Sequence, residues 1–227
     1  MWTEMALALV PTALLMALLA RAPGRGMRPL LRPLLAGAAA TVPACALSMA
    51  AEAALGMAVP EGSVARHVLR YLLCVALAEE AAKRAALARA HGSVGGDVAL
   101  ASVAVGLGFG AVEDALYVAR GTSWLPRALT CASGHAAFGL LMGMALERGR
   151  PRLPLLLPTL VRGAYDALVR AEGPAAVPCT LVALAYVAVV RALRGRGVTG
   201  RETPLPTPDP PPAGSGSNRA SPGGSGF

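Results

Sequence analysis

Two adjacent glutamates and a lysine interrupt an apolar stretch, "RYLLCVALAEEAAKRAALARAHG", at residues 70–92. Glu79 and Lys83 are four residues apart, as are Glu80 and Arg84, so on a helix each acid lies one turn before a base on the same face. A glutamate held away from bulk water can take a proton from a water molecule or bind a metal ion. The same spacing also suits an ion pair that only stabilises the helix, and the two interpretations remain open at this point.

A second apolar stretch, "VAVGLGFGAVEDALYVA", combines glycines with two acids. Gly106, Gly110 and Glu113 share one helical face, and Asp114 follows directly. Small residues four apart let another helix approach closely. Glu113 is therefore expected to point into a contact between helices rather than toward lipid.

Two further apolar stretches carry ionisable groups. In "TCASGHAAFGLLMGMAL", His135 shares a face with Gly139 and Gly143, and in "LLLPTLVRGAYDALV", Arg162 and Asp166 are four residues apart. An ionised group at the centre of a bilayer costs about 2.5–3.5 kcal/mol on insertion scales and normally faces a bundle interior or a wet cavity. Four stretches that each direct a polar group inward predict one polar site within the membrane.

The composition requires a membrane setting for these stretches. The chain has 227 residues, of which 55% are hydrophobic and 15% charged, with a mean hydropathy of +0.54. Soluble domains carry about 25% charged residues. The apolar runs approach the ~20 residues that a spanning helix needs, and they lie at 5–20, 34–57, 67–89, 97–119, 129–146, 153–169 and 175–193. We expect an all-α, polytopic membrane bundle of about seven transmembrane helices.

The bundle is expected to form one domain, residues 1–196. Residues 197–227 are rich in Pro, Gly and Ser and cannot bury a core, which predicts a disordered cytoplasmic tail. The formal charge of +8 does not indicate a nucleic-acid partner, because the basic residues lie between the apolar runs and only 4% of residues are aromatic. The lipid bilayer is the expected surrounding.

The cysteines give no sign of a metal site or disulfide framework. None is spaced as CxxC, and all fall inside apolar runs, at Cys45, Cys74, Cys131 and Cys179. Cysteines in such a setting behave as small core residues.

Orientation follows from the positive-inside rule. If the run at 67–89 spans and the N-terminus lies outside, the inner loops hold fourteen basic residues: Arg21, Arg25, Arg28, Arg32, Lys83, Arg84, Arg89, Arg148, Arg150, Arg152, Arg191, Arg194, Arg196 and Arg201. The outer loops then hold five: Arg66, Arg70, Arg120, Arg127 and Arg170. If the run does not span, the bias reverses. We therefore expect a cell-membrane protein with its C-terminus in the cytoplasm.

Four motifs in order resemble the PrsW family of intramembrane proteases, relatives of the CAAX prenyl endopeptidase and bacteriocin-processing superfamily. They are "EEAAK" at 79–83, "GFGAVED" at 108–114, "HAAFG" at 135–139 and "RGAYD" at 162–166. The resemblance extends over about residues 67–170. Two positions depart from the family pattern: Asp114 stands where Asn is usual, and Arg162 where the family's HxxxD motif has His.

The resemblance implies a peptidase that cuts a membrane-anchored protein, such as an anti-sigma-factor-like regulator. It implies glutamate chemistry, with Glu79 as general base, Glu80 as its orienting partner, Glu113 as a second water-positioning carboxylate and His135 as oxyanion stabiliser. The expected supporting residues are Lys83, Asp114, Arg162 and Asp166.

We expect no cofactor on this interpretation, although the family has also been called metalloproteases. A zinc site usually takes three protein ligands and a water. Here Glu79, Glu113 and His135 are the residues that would supply them, and the sequence contains no HExxH motif.

Other classes fit less well. An ion-coupled transporter would use the same acids to relay protons or bind cations, but the sequence lacks the inverted repeat that such carriers show. A catalytically degenerate scaffold would use them only as ion pairs, which the Arg162 departure favours. A rhomboid-type protease is disfavoured because no histidine follows His135 to serve Ser133, and the "GGD" and "YD" pairs occur in the wrong order for a presenilin-type protease.

The charge bias predicts the accessibility of both chain ends. A tag at the N-terminus should react with a membrane-impermeant reagent in intact cells, whereas a tag placed after Arg201 should react only after permeabilisation. Labelling of both tags from the same side would mean that the run at 67–89 does not span.

Overall fold

The computed structural model describes residues 1–21, 26–58, 62–150 and 152–170, and these residues form helices without strands. The α-helices are α1 (Trp2–Ala20), α2 (Arg28–Ala58), α3 (Val64–Leu69), α4 (Leu77–Ala90), α5 (Val98–Ala119), α6 (Trp124–Glu147) and α7 (Leu153–Arg170). A π-helical segment, Arg70–Ala76, joins α3 to α4, and a short 3₁₀ turn, His91–Val94, follows α4.

Within the described residues, four helices are long and apolar enough to cross a membrane: α1, α2, α5 and α6. The all-helical prediction is confirmed, whereas the count of about seven spans is not. The stretch at 153–169 is helical as α7, but it is short and carries charged residues. The predicted span at 175–193 and the predicted tail at 197–227 lie outside the described residues.

Helix α5 forms the centre of the bundle and is buried along most of its length. One of its faces, including Leu100 and Leu107, packs against α1 and α6 in an apolar cluster. Another face, including Val105 and Phe109, packs against α2 and α4 in a second cluster. Because neighbours surround α5, any polar side chain it carries must find partners on those neighbours.

The glycine faces predicted from the sequence meet each other between α5 and α6. A Cβ atom at Gly110 would lie 2.9 Å from Cδ2 of His135, and one at Gly143 would lie 2.5 Å from Cα of Ala99. Larger residues at either position would force the two helices apart. The short interhelical distance brings the middle of α6 against the part of α5 that carries Glu113.

The third apolar stretch is not a uniform helix. Ser63 caps its start by accepting a hydrogen bond from the backbone N–H of Arg66 at 3.1 Å. The π-helical segment then lies against α7, where a Cβ atom at Gly163 would be 2.9 Å from Cα of Leu72. The close approach sets the distance between α7 and the start of α4, where Glu79 and Glu80 lie.

Helix α6 begins five residues before the apolar run predicted at 129–146. Its first turn contains Arg127, which the sequence assigned to an outer loop. That assignment was wrong because Pro126 and Arg127 interrupt the apolar pattern at the start of α6, although both are helical. Arg127 is an intrahelical residue with a partly buried side chain.

The α5–α6 contact predicts different effects for two substitutions on the same helix. Gly143→Ala should lower the melting temperature of the purified protein, because its methyl group meets backbone of α5, an overpacking that typically costs about 1–3 kcal/mol. Gly134→Ala is the matched control, since its Cβ would be 3.7 Å from the nearest atom and alanine favours helix. Equal melting temperatures for both variants would contradict this packing.

Candidate active site

Four helices each contribute one side chain to a polar cluster: Glu79 from α4, Glu113 from α5, His135 from α6 and Arg162 from α7. His135 and Arg162 lie near the middle of their helices. At 1.5 Å per residue, His135 is about 16 Å from the first residue of α6, which is roughly half the thickness of a bilayer core. His135 therefore lies about halfway along a helix that is long and apolar enough to cross a bilayer.

The guanidinium of Arg162 lies at the centre of this cluster. Its Nη2 is 3.0 Å from Oε2 and 3.2 Å from Oε1 of Glu79, and 3.4 Å from Oε2 of Glu113. Its Nε donates to Asp166 one helical turn away at 3.1 Å. One buried cation thus pairs with carboxylates from three helices.

His135 connects the guanidinium to α5. Its Nε2 is 2.8 Å from Oε2 of Glu113, and Nη1 of Arg162 is 3.1 Å from each ring nitrogen. If Nε2–H donates to Glu113, the bare Nδ1 is the ring nitrogen that accepts from Arg162, and the contact between Nη1 and Nε2 is then not a hydrogen bond. Since both ring nitrogens are then occupied, the orientation of the imidazole is fixed from two sides.

Glu80 lies apart from this centre and pairs with Lys83 one turn later on α4. The two side chains are 0% and 1% exposed, and Nζ of Lys83 is 4.0 Å from Oε2 of Glu79. The ammonium group also lies 4.6 Å from the ring centroid of Phe109. Glu80 thus reaches Glu79 only through Lys83, which it holds in place.

Arg127 is a member of the site that sequence reasoning missed. Its Nη2 donates to Oε1 of Glu113 at 2.9 Å, and its Nε donates to Oδ1 of the fully buried Asp114 at 2.8 Å. The guanidinium lies 4.1 Å from the ring centroid of Tyr117 and 3.2 Å from Sγ of Cys131. The one sequence signal was its position three residues after "GTSW": a helix that starts there would place Arg127 in its first turn.

Three carboxylates of the cluster are partly exposed. The side chains of Glu79, Glu113 and Asp166 are 12%, 15% and 19% exposed, whereas those of Lys83 and Asp114 are at most 1% exposed. Oε2 of Glu79 forms an ion pair with the Arg162 guanidinium, but no N–H of that group points at it. Among the described residues it therefore accepts no hydrogen bond. This oxygen is itself buried, and a carboxylate oxygen with an unused acceptor position can take a proton from a water molecule that enters the cluster.

Comparison with known proteins places these residues inside a family match. The profile of a family described as "PrsW family intramembrane metalloprotease" matches residues 26–193. A "Protease PrsW" of Shouchella clausii is 33% identical over 89 residues, 34% of this chain and 41% of the relative. A "Protease PrsW" of Halalkalibacterium halodurans is 37% identical over 78 residues, 30% of this chain and 36% of the relative. The matches thus span well under half the length of these curated relatives. No solved structure matches the chain at a significant level.

The family description calls for a test of whether a metal ion fits. Ligand atoms of Glu113, Cys131 and His135 lie within 4.8 Å of one another. However, both oxygens of Glu113 already pair with cations or His135, and Arg127 donates to the Cys131 sulfur. A divalent ion about 4 Å from a guanidinium is repelled by roughly 8 kcal/mol at an effective dielectric constant of about 20. With Arg127 and Arg162 both in place, the present arrangement does not fit a divalent ion.

The Arg127 contacts predict a pairwise dependence. Arg127→Gln should destabilise the protein by about 3–5 kcal/mol, because it leaves the buried Asp114 carboxylate without its cation. Asp114→Asn in the same chain should recover part of that loss, with a coupling of about 0.5–3 kcal/mol in a double-mutant cycle from melting curves. Arg120→Gln, at an exposed arginine, serves as control. Additive effects of the two substitutions would show that the pair contributes nothing.

Proposed function

The chain belongs to the PrsW family, and on that premise we propose that it is an intramembrane endopeptidase that hydrolyses peptide bonds of membrane-anchored protein substrates. A single-span regulator of the anti-sigma-factor kind is the expected substrate class. The protein is a multi-pass membrane protein, and residues 1–196 form the proposed catalytic domain.

The convergence of Glu79, Glu113 and His135 at the middle of the bundle supports this proposal most directly. Peptide hydrolysis requires a base for the attacking water and a donor for the developing oxyanion. The three side chains come from three different helices, and two of them are partly exposed. An apolar bundle has no need of such groups for packing.

The proposed reaction begins at Glu79. Its Oε2, which accepts no hydrogen bond from the described residues, takes a proton from a water molecule that Glu113 orients, and the resulting hydroxide forms a bond to the carbonyl carbon of the substrate. Lys83, held by Glu80, lies near the Glu79 carboxylate and keeps it facing the cluster. Glu80 thereby acts as a positioning residue.

His135 and Arg162 then stabilise the negative charge on the carbonyl oxygen. In the structure the Nε2 proton of His135 is directed at Glu113, so His135 donates to the oxyanion once the substrate displaces that contact. Nη1 of Arg162 lies beside the imidazole and supplies a second donor. When the C–N bond breaks, Glu79 returns its proton to the leaving amine, which completes the hydrolysis.

A second function, that of a catalytically silent membrane scaffold, is favoured by one observation. The Arg162 guanidinium fills the space between Glu79, Glu113 and His135 and pairs with all of them. On this alternative the cluster stabilises the contacts among α4, α5, α6 and α7, and hydrolysis does not occur. The same residues are then structural.

Cleavage by purified variants tests these functions. Glu79→Gln and His135→Ala should each reduce cleavage of a single-span substrate in liposomes by at least about 10²-fold in protein that is still folded, because both groups act in the transition state. Glu52→Gln is the matched control: Glu52 also pairs with an arginine, Arg70, but at an exposed position away from the cluster. Glu79→Gln protein that cleaves as fast as wild type would refute the glutamate mechanism.

The alternatives give other outcomes in the same experiment. A scaffold predicts no cleavage by any form, wild type included, because the cluster then only holds the helices together. A carrier predicts no cleavage and a pH-dependent ion flux that the variant loses. Arg162→His should preserve or raise cleavage, because it restores the histidine of the family motif.

A further inference from the structure

We infer that the Arg162 guanidinium occupies the place of a divalent cation in this site. The positive charge that the carboxylates require thus comes from a side chain of the protein itself. Arg162→His should therefore convert the cluster into a metal-binding site. The inference concerns what the cluster binds and does not depend on peptidase activity. It separates this chain from the metalloprotease description of its family.

The position of the guanidinium is the first observation. Its terminal nitrogens lie within 3.0–3.4 Å of oxygen or nitrogen atoms of Glu79, Glu113 and His135. These are side-chain types that bind zinc, and they approach from three helices. The guanidinium therefore fills the space between these side chains, which would have to move closer together to hold an ion in its place.

The burial and anchoring of Arg162 are the second observation. The residue is 4% exposed, its Nε donates to Asp166, and its guanidinium carbon lies 5.8 Å from the ring centroid of Phe138. The neighbouring Gly163 packs directly on Leu72 of the π-helical segment. These contacts fix the base of the side chain, so it has little room to withdraw and admit an ion beside it.

The charges of the cluster are the third observation. Five carboxyl groups meet three basic side chains here, and the ion pairs join Glu79, Glu80, Glu113, Asp114 and Asp166 to Lys83, Arg127 and Arg162. Replacing Arg162 with histidine removes one positive charge and shortens the side chain. It also adds an imidazole nitrogen to the carboxylates and His135 that remain. The variant therefore combines an open space, negative charge and four potential ligands.

Metal uptake by the purified full-length chain tests the inference. Protein in detergent is dialysed against Zn²⁺ at low micromolar concentration, and bound metal is measured by elemental analysis. We expect wild type to retain less than about a tenth of an equivalent and Arg162→His about one equivalent, at least a tenfold difference. The double variants Arg162→His/Glu79→Gln and Arg162→His/Glu113→Gln should lose that uptake. Arg120→His, which adds a histidine at an exposed position, should bind as little as wild type.

Three results would overturn the inference. The first is binding of one equivalent by wild type that Glu79→Gln or Glu113→Gln removes, since the guanidinium would then have yielded to the metal. The second is binding of one equivalent by wild type that Cys131→Ser removes, since the ion would then belong to the Glu113–Cys131–His135 group. Folded Arg162→His without uptake would show that the position is not a cation site. If that variant does not fold, the wild-type measurements with Glu113→Gln and Cys131→Ser decide alone. Activity plays no part in these readouts, so loss of the peptidase proposal would leave the result intact.

Discussion

The position of Arg162 is the constraint on which the polar centre of this bundle depends. Its guanidinium links Glu79 of α4, Glu113 of α5 and His135 of α6 to α7, so four helices share one cation. A carboxylate among apolar helices is tolerated only when a cation and hydrogen-bond donors replace its hydration. The arrangement of α7 against the other three helices therefore follows from electrostatics as much as from apolar packing.

Close packing and charge pairing support each other in this molecule. The glycine faces of α5 and α6 allow the imidazole of His135 to lie directly over Gly110, within reach of Glu113. At a wider helix separation, the hydrogen bond between His135 and Glu113 could not form, and each buried polar group would lack a partner. Small residues on one face and an ionisable residue at its end thus form one structural unit.

The sequence predicted the polar centre to a considerable extent, because an ionisable residue in an apolar run has few places to go. Glu79, Glu113, His135 and Arg162 were all identified in this way. Their chemical roles stay predictions, since side-chain types do not determine which group takes a proton.

Other features were beyond the reach of sequence patterns. Arg127 was assigned to a loop because helix α6 starts before its apolar run, and helix starts are set by backbone contacts that hydropathy does not register. Cys131 is buried, as its place in an apolar run indicated, but the contact of its sulfur with the Arg127 guanidinium was not predicted. The central position of Arg162 depends on how α7 docks, which is a tertiary property.

The π-helical segment Arg70–Ala76 sets the rotational phase between the two halves of one long helix. His67 on α3 lies 3.3 Å from the carbonyl oxygen of Ala167, and Glu79 on α4 pairs with Arg162, so both residues face α7. Twelve residues of uniform α-helix would turn these side chains about 120° apart, whereas a wide turn that absorbs one residue leaves them about 20° apart. Removing a single residue from the segment would restore ordinary α-helical winding with the same phase. The chain can therefore vary by one residue at this point while the glutamates keep their direction.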